Sequence, residues 1–491
     1  MNPPTLSRRN FLTQSAAATI AAPFIAKTAF GQGNSPNGKL GAMVVGAGDR
    51  GGSHVGAMLS DPRTVVLYIC DPDSTHAANR AKRVEERQGF APKVISDMRE
   101  ALGDEKLDIV TCAAVTHWHT LCGIWALQAG KHVFLEKPIS SSIHEGQAIV
   151  AAAKKYGKVC QVGTQRRSFK GYIDAVKFVQ SGGIGEVKLA RGICYKRRKS
   201  IGALGQYPVP ENVDYNLWCG PCPDDPPTRP KFHYDWHWQR KYGSGEIGNN
   251  GPHFNDLARW FLGLERFPNR VAAYGGRVGY DVEKNDPNYI DAGDTPNVHV
   301  SVFDYGDKTI VMECRGLETP KLLNVGFGAI IYGSEGYVTM DDTESPIVFD
   351  LAGKEIKKFS GGGNPFTEFI DAAEKNDPSH VKANARCGAL SAALCHLGNI
   401  AYFVGEENKL PVAEVERWFK NEVPEHHLAT FKDTVDHLAK NGVDVNKTML
   451  SFGLPLTIDP ATERFTDSDA ANRLLARPCR DGFVVPLPEK V

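Results

Sequence analysis

Gly41-Ala-Met-Val-Val45 runs directly into Gly46-Ala-Gly48-Asp49-Arg50-Gly51. An apolar run followed by three glycines at this spacing reads as a buried strand turning tightly into a helix. Gly46 suits the turn, Gly48 lets a ligand's pyrophosphate approach the backbone, and Gly51 lets the helix pack on the strand, while the first helical N–H groups face the anion. Asp71 ends the second apolar run, Val65-Val-Leu-Tyr-Ile-Cys70, and lies 25 residues beyond Gly46. There it would accept hydrogen bonds from an adenosine ribose. A carboxylate at this place repels a 2′-phosphate, and no arginine follows in Pro72-Asp73-Ser74, so NAD is expected, NADP less so.

Working outward, Ile109 to Ala114, His132 to Leu135 and Val159 to Val162 are further short apolar runs, separated by amphipathic stretches. Alternation of this kind predicts a doubly wound parallel sheet, a Rossmann domain over 39–161. Beyond Gly163 the pattern changes to longer β-rich segments at Val187–Tyr195, Asn297–Glu313 and Ile330–Phe349, which predicts an α+β domain with a large, mostly antiparallel sheet over 162–405. Pro208 to Trp238 holds seven prolines and many aromatics, too much for a passive linker. Helical stretches near Pro365–Lys375 and Cys387–Val404 return the chain toward the first domain. Residues 406–491 read as a C-terminal extension.

The 491 residues carry 57 Lys+Arg and 57 Asp+Glu, so there is no basic field to attract a nucleic acid. Ser7-Arg8-Arg9-Asn10-Phe11-Leu12 precedes an Ala-rich apolar stretch and a small-residue exit near Ala29-Phe30-Gly31. Residues 1–31 resemble a twin-arginine export signal. Its removal takes Arg8, Arg9 and Lys27 and no acid, and no later stretch is expected to span a membrane. The resemblance implies handling by the twin-arginine machinery, a folded passenger and a periplasmic or otherwise exported location. Eleven scattered cysteines, mostly in apolar runs, do not read as a disulfide framework.

Several motifs now stand in order: the glycine turn, Thr116-His117-Trp118-His119, Ala129-Gly-Lys-His-Val-Phe-Leu-Glu136-Lys137-Pro138, Gln161-Val-Gly-Thr-Gln165-Arg166-Arg167, and Gly248-Asn249-Asn250-Gly251-Pro252-His253. Together, over roughly Lys39 to Gly405, they resemble the glucose-fructose oxidoreductase and inositol dehydrogenase family, Gfo/Idh/MocA. The resemblance implies hydride transfer between nicotinamide and a sugar or cyclitol carbon in a dimer or tetramer. It places Asp49, Arg50, His119, Glu136 and Lys137 beside the glycines and Asp71 as cofactor contacts. Lys137, at the carboxyl end of a parallel strand, would hydrogen-bond the hydroxyl being oxidised. His253 opens a helix, whose N-terminus disfavours imidazolium, so it is expected to be neutral and able to take a proton. The family pattern has Asp four residues before this His, and this chain has Asn249, which can orient an imidazole but cannot stabilise its charged form. Asp256, one turn after His253, could partly substitute. Arg166, Arg167, Trp236, His237 and Asp256 are expected substrate contacts.

Other readings stay open. A transient oxidation can acidify a neighbouring C–H, eliminate a glycosidic bond and end in NAD-dependent hydrolysis. A non-catalytic sugar- or NAD-binding protein would also explain Asn249. Trp218-Cys219-Gly220-Pro221-Cys222 spells a thiol-redox run, but without the helix that activates such a thiolate. His233 with His237, and His117 with His119, lack a convergent carboxylate or thiolate, so no metal is expected.

Overall fold

The structure is a computed structural model that describes residues 38–281, 286, 288–342, 345–422 and 425–491. The twin-arginine-like segment lies outside the described residues.

Six strands form the first sheet: β1 (Leu40–Val45), β2 (Thr64–Cys70), β3 (Lys93–Ile95), β4 (Ile109–Cys112), β5 (His132–Leu135) and β6 (Cys160–Val162). Their order is β3-β2-β1-β4-β5-β6, and every pairing is parallel. Helices α1 (Asp49–Ser60), α2 (Ser74–Gln88), α3 (His119–Gln128) and α4 (Ile143–Tyr156) follow strands as the pattern predicts. Alternate residues feed opposite faces. Met43, Val45, Val110 and Leu135 enter the core shared with α3 and α4, while Ala42, Val44, Ile109 and Phe134 enter the core shared with α1 and α2. Local signals stop the helices where the chain must turn. Asp73 caps α2 and Ser142 caps α4, and each of these helices ends on a left-handed glycine, Gly89 and Gly157.

The second sheet has the order β14-β13-β12-β11-β7-β10-β9-β8-β16-β15. Its strands are β7 (Val187–Cys194), β8 (Arg270–Gly276), β9 (Val298–Asp304), β10 (Thr309–Arg315), β11 (Phe327–Gly333), β12 (Gly336–Asp341), β13 (Ile347–Asp350), β14 (Glu355–Lys358), β15 (Lys409–Pro411) and β16 (Met449–Asp459). Of the pairings along that path, β7 with β10 is parallel. Helices α5 (Lys170–Gln180), α6 (Gly245–Asn249), α7 (Gly251–Leu262), α9 (Ala385–Gly405), α10 (Val412–Glu422) and α11 (Glu425–Lys440) accompany this sheet, whereas α8 (Pro365–Lys375) returns to the first domain, where Phe366, Phe369 and Ile370 enter its core.

Helix α9 joins the two halves. Ala385, Ala389 and Ala392 pack into the first-domain core, and Leu390, Leu394, Leu397 and Ile400 pack into the second. By length and composition alone it is long and apolar enough to cross a membrane. Its apolar circumference is instead explained by burial on both sides. At its end Gly405 and Gly453 let α9 and β16 touch backbone to backbone: a Cβ on Gly453 would lie 2.0 Å from the Ala401 carbonyl oxygen. Residues beyond 405 are built into both domains. β15 and β16 extend the second sheet, Phe419 and Phe431 cover its other face, and Phe483, Val485 and Val491 complete the first-domain core.

Candidate active site

A cavity of about 530 Å³ opens at the carboxyl ends of β1, β2, β4 and β5, between the two domains. Its floor is the glycine turn. Gly46 has φ +85°, and a Cβ there would lie 2.4 Å from the Ala114 nitrogen. A Cβ on Gly51 would lie 1.9 Å from the Gly46 carbonyl oxygen. Gly48 differs, because a Cβ there would meet nothing within 4 Å. Protein packing therefore does not explain the glycine at 48, whereas a ligand lying against the backbone does. Gly48 also caps α1 without a side-chain hydrogen bond, so the start of that helix offers donors to an anion. These features fit a dinucleotide pyrophosphate.

Asp71 is at the expected place beside this turn. Its Oδ2 accepts from Ala47 N at 2.6 Å and its Oδ1 from Asp73 N at 2.8 Å. Burial raises its pKa against those two bonds. Arg80, which the sequence reading missed, holds the turn from α2 by donating to the Ala47 and Gly48 carbonyls, both at 2.9 Å. It carries no motif of its own, because its acceptors are backbone atoms.

The other end of the cavity is organised by Glu136 and Lys137, which follow β5. Glu136 is buried, accepting from Arg50 at 2.6 Å and lying 3.2 Å from His54. Burial alone would raise its pKa, but the His54 hydrogen bond and the charges of Arg50 and Lys137 prevail and hold it well below the usual carboxylate range. Arg50 thus ties α1 to the end of β5 through a permanently ionised carboxylate. Lys137 donates from Nζ to the Asn249 carbonyl oxygen at 2.6 Å. Burial lowers its pKa, and Glu136 opposes that shift. His119 places Nδ1 2.6 Å from the Pro138 oxygen and Nε2 3.0 Å from the Ala114 oxygen, supporting the strand ends that carry the wall.

His253 stands on the first turn of α7 and lines the same cavity as Lys137. Its pKa lies well below 6.5, first because of burial and then because Lys137 and Arg166 are positive. Neutral imidazole is the form able to accept a proton. Trp218, Trp236 and His237 line this side, with the His237 ring stacked on Trp236 at 3.7 Å.

The remaining expected residues are placed elsewhere. Arg167 and Asp256 form a buried pair, with Nε 2.9 and 3.0 Å from the two carboxylate oxygens. Asp256 also accepts from Ser391 at 2.8 Å, and Arg167 lies over the Trp260 ring at 4.9 Å. Neither lines the cavity, and Asp256 is committed to these partners rather than to His253. Arg166 donates to the Asp342 carbonyl and lies 3.9 Å from its carboxylate, so it acts on His253 through charge. Asn249 contributes its carbonyl to Lys137, because the chain breaks between α6 and α7 at Asn250. Cys219 sits at the carboxyl end of a five-residue helix, Tyr215–Cys219, the opposite end from one that activates a thiolate. Both Cys219 and Cys222 are buried, and burial pushes Cys222 up to about 12.

Residues 40–164 match the oxidoreductase family's NAD-binding Rossmann fold, and residues 177–422 match that family's C-terminal alpha/beta domain. The chain belongs to the Gfo/Idh/MocA oxidoreductase family, and its first domain is an NAD-binding Rossmann domain. It is 28% identical over 176 residues to inositol 2-dehydrogenase of Salmonella typhimurium, covering 35% of this chain and 50% of the relative. It is 32% identical over 144 residues to scyllo-inositol 2-dehydrogenase (NAD(+)) of Bacillus subtilis, covering 29% and 41%. The chain thus spans about half the length, or less, of these curated relatives. Levoglucosan dehydrogenase in complex with NADH and levoglucosan shares the fold, with a TM-score of 0.55 at 19% identity over 73% of this chain and 96% of that one.

Proposed function

We propose that this protein is an NAD-dependent oxidoreductase that acts on a CH–OH group of a sugar, polyol or glycoside. The observation that carries the reading is the joint exposure of Lys137 and His253 to one end of a cavity whose other end is the glycine turn with Asp71. Gly46, Gly48, Gly51, Asp49, Arg50 and Asp71 would hold NAD, which when bound supplies the hydride acceptor. Lys137, fixed by the Asn249 carbonyl, hydrogen-bonds the reacting hydroxyl and stabilises oxygen as it becomes anionic. His253, neutral before reaction, takes the hydroxyl proton. Trp236 and its stacked partner His237 offer an apolar face to a sugar ring.

The relatives that oxidise inositols support cyclitols as first substrates to try, and levoglucosan is a reasonable anhydro-sugar probe. A single-turnover experiment tests the reading: protein loaded with NAD is mixed with such a panel and nicotinamide absorbance is followed. Reduction by wild type and its loss in Lys137→Ala support the proposal. Sugars that bind without ever reducing the nicotinamide would overturn it.

The twin-arginine-like segment supports export in a folded, cofactor-loaded state, with the cofactor retained rather than exchanged. Cell fractionation of a version carrying Arg8→Lys and Arg9→Lys checks this, and retention of the protein in the cytoplasm is the expected result. Family resemblance supports assembly as a dimer or tetramer, which sedimentation would reveal.

A further inference from the structure

Asp73, His76 and His233 converge at the rim of the cavity. Their ligand-type atoms all lie within 4.8 Å of one another, the one such group found among the described residues. Asp73 caps α2, and its Oδ1 accepts from Thr75 N at 2.9 Å, His76 N at 3.0 Å and Asn212 Nδ2 at 2.6 Å. Those three bonds fix the carboxylate and direct Oδ2 at two imidazoles. His233 Nε2 is 3.0 Å from Oδ2 and His76 Nδ1 is 3.7 Å from it. A hydrogen bond accounts for His233, but 3.7 Å is too long for one to His76. Donors on a tetrahedral Zn²⁺, each about 2.0–2.1 Å from the metal, stand roughly 3.3 Å apart. The two measured separations bracket that value.

The donor chemistry agrees, because two imidazole nitrogens and one carboxylate oxygen suit a borderline first-row divalent cation. The bonds that hold Oδ1 are the outer contacts that orient a metal-binding carboxylate. Both histidines are about two-fifths exposed, with side-chain exposures of 37% and 41%, which leaves a route for an ion. We propose that Asp73, His76 and His233 form a binding site for a divalent transition-metal ion, Zn²⁺ foremost, with its fourth position open to water. The ion would join α2 of the first domain to the proline-rich loop of the second. That loop already meets the same place through Ser74 N to the Asn212 carbonyl and Asp214 N to the Pro72 carbonyl, both at 2.9 Å.

The test uses the whole chain, titrated with Co²⁺ as the spectroscopic probe and with Zn²⁺ in competition. Wild type should develop the visible bands of a four- or five-coordinate Co²⁺ site, and Zn²⁺ should bleach them at one equivalent. His76→Ala and His233→Ala should each weaken Co²⁺ binding by well over tenfold, since even outer contacts to a metal ligand are worth about 10–100-fold. Unchanged far-ultraviolet circular dichroism in both variants shows that the fold survives. Zn²⁺ should raise the thermal midpoint of wild type but not of the double variant. Identical Co²⁺ affinity in wild type and the double variant overturns the proposal, and so do absence of binding at 100-fold excess or sulfur-to-cobalt charge-transfer bands reporting thiolate ligands. None of these readings depends on hydride transfer, so the metal site and the proposed activity stand or fall separately.

Discussion

Replacing Gly48 by alanine separates what the glycine turn does for the fold from what it does for a ligand. Gly48 has φ −66° and ψ −159°, near-extended backbone outside the left-handed region that favours glycine. The added methyl meets no protein atom within 4 Å. Two small effects then oppose each other. Loss of backbone freedom in the unfolded chain stabilises by about 0.4–1 kcal/mol, while alanine is the poorer helix cap by several tenths of a kcal/mol. Stability should therefore change by less than about 1 kcal/mol. Binding should not be spared, because the methyl stands where the pyrophosphate must approach. Losing one charge-assisted hydrogen bond costs about 1.5–3 kcal/mol, so the NAD dissociation constant should rise from about tenfold to somewhat over a hundredfold. Gly51→Ala is the reverse control. Its methyl would lie 1.9 Å from the Gly46 carbonyl oxygen, so the backbone must move at a cost of about 1–3 kcal/mol. Thermal unfolding of the ligand-free protein and calorimetric titration with NAD measure the two quantities. If Gly48→Ala binds NAD like wild type, or loses stability as Gly51→Ala does, the dinucleotide does not lie on this backbone and the argument fails.

Lys137→Ala should lower single-turnover hydride transfer by about 10²–10⁴-fold while leaving NAD affinity within a few-fold. Because Lys137 depresses the His253 pKa, the acid limb of the residual activity should also move to higher pH; an unmoved limb would mean that the two groups do not interact. Arg167→Ala or Asp256→Ala alone should destabilise the protein by about 3–5 kcal/mol, since each strands a buried charge, yet the folded fraction should keep its KM; a KM change without destabilisation would return the pair to the substrate site. Burial holds His117 and His396 near about 3 and His299 near about 4. The unfolded chain, with histidines near 6.5, therefore takes up protons first as pH falls, so their stabilisation is complete above that pH and is lost below it. Between pH 6.5 and 5.5 each should cost about 1 kcal/mol, about 3 kcal/mol in all, and a thermal midpoint flat over that interval would contradict their burial as neutral rings.

Legibility from sequence followed the locality of each interaction. β1, β2, β4, β5 and β6 are continuous apolar runs and were readable. β3 was not, because it has three residues and Lys93 and Val94 face solvent. β16 hides for another reason: its register shifts between Gly453 and Leu456, which breaks the alternation that reveals a strand. Lys137 and His253 were legible because each sits inside a contiguous motif. The Arg167–Asp256 pair was not, since both residues look available until α7 packs beside the turn that follows β6. The metal-ligand trio was invisible in the same way. Asp73 and His76 are three apart, but His233 is 160 residues from Asp73, and neither segment alone has the spacing of a site.

The reactive end shows why Asn249 need not disable the chemistry proposed for it. The ammonium of Lys137 is anchored by the last carbonyl of a short helix, an acceptor any residue at 249 supplies. The buried carboxylate nearest in sequence, Glu136, is already occupied by Arg50 and His54. Asp256 is occupied by Arg167 and Ser391. Glu136 favours His253 as imidazolium through its charge alone, and burial together with Lys137 and Arg166 outweighs it. The base is kept neutral at the expense of its strength. A site so biased favours oxidation only if the proton leaves His253 promptly, and the residue's place in the cavity lining puts it within reach of whatever enters there. What Asn249 supplies in this arrangement is its backbone carbonyl, which holds Lys137 whatever the side chain at that position.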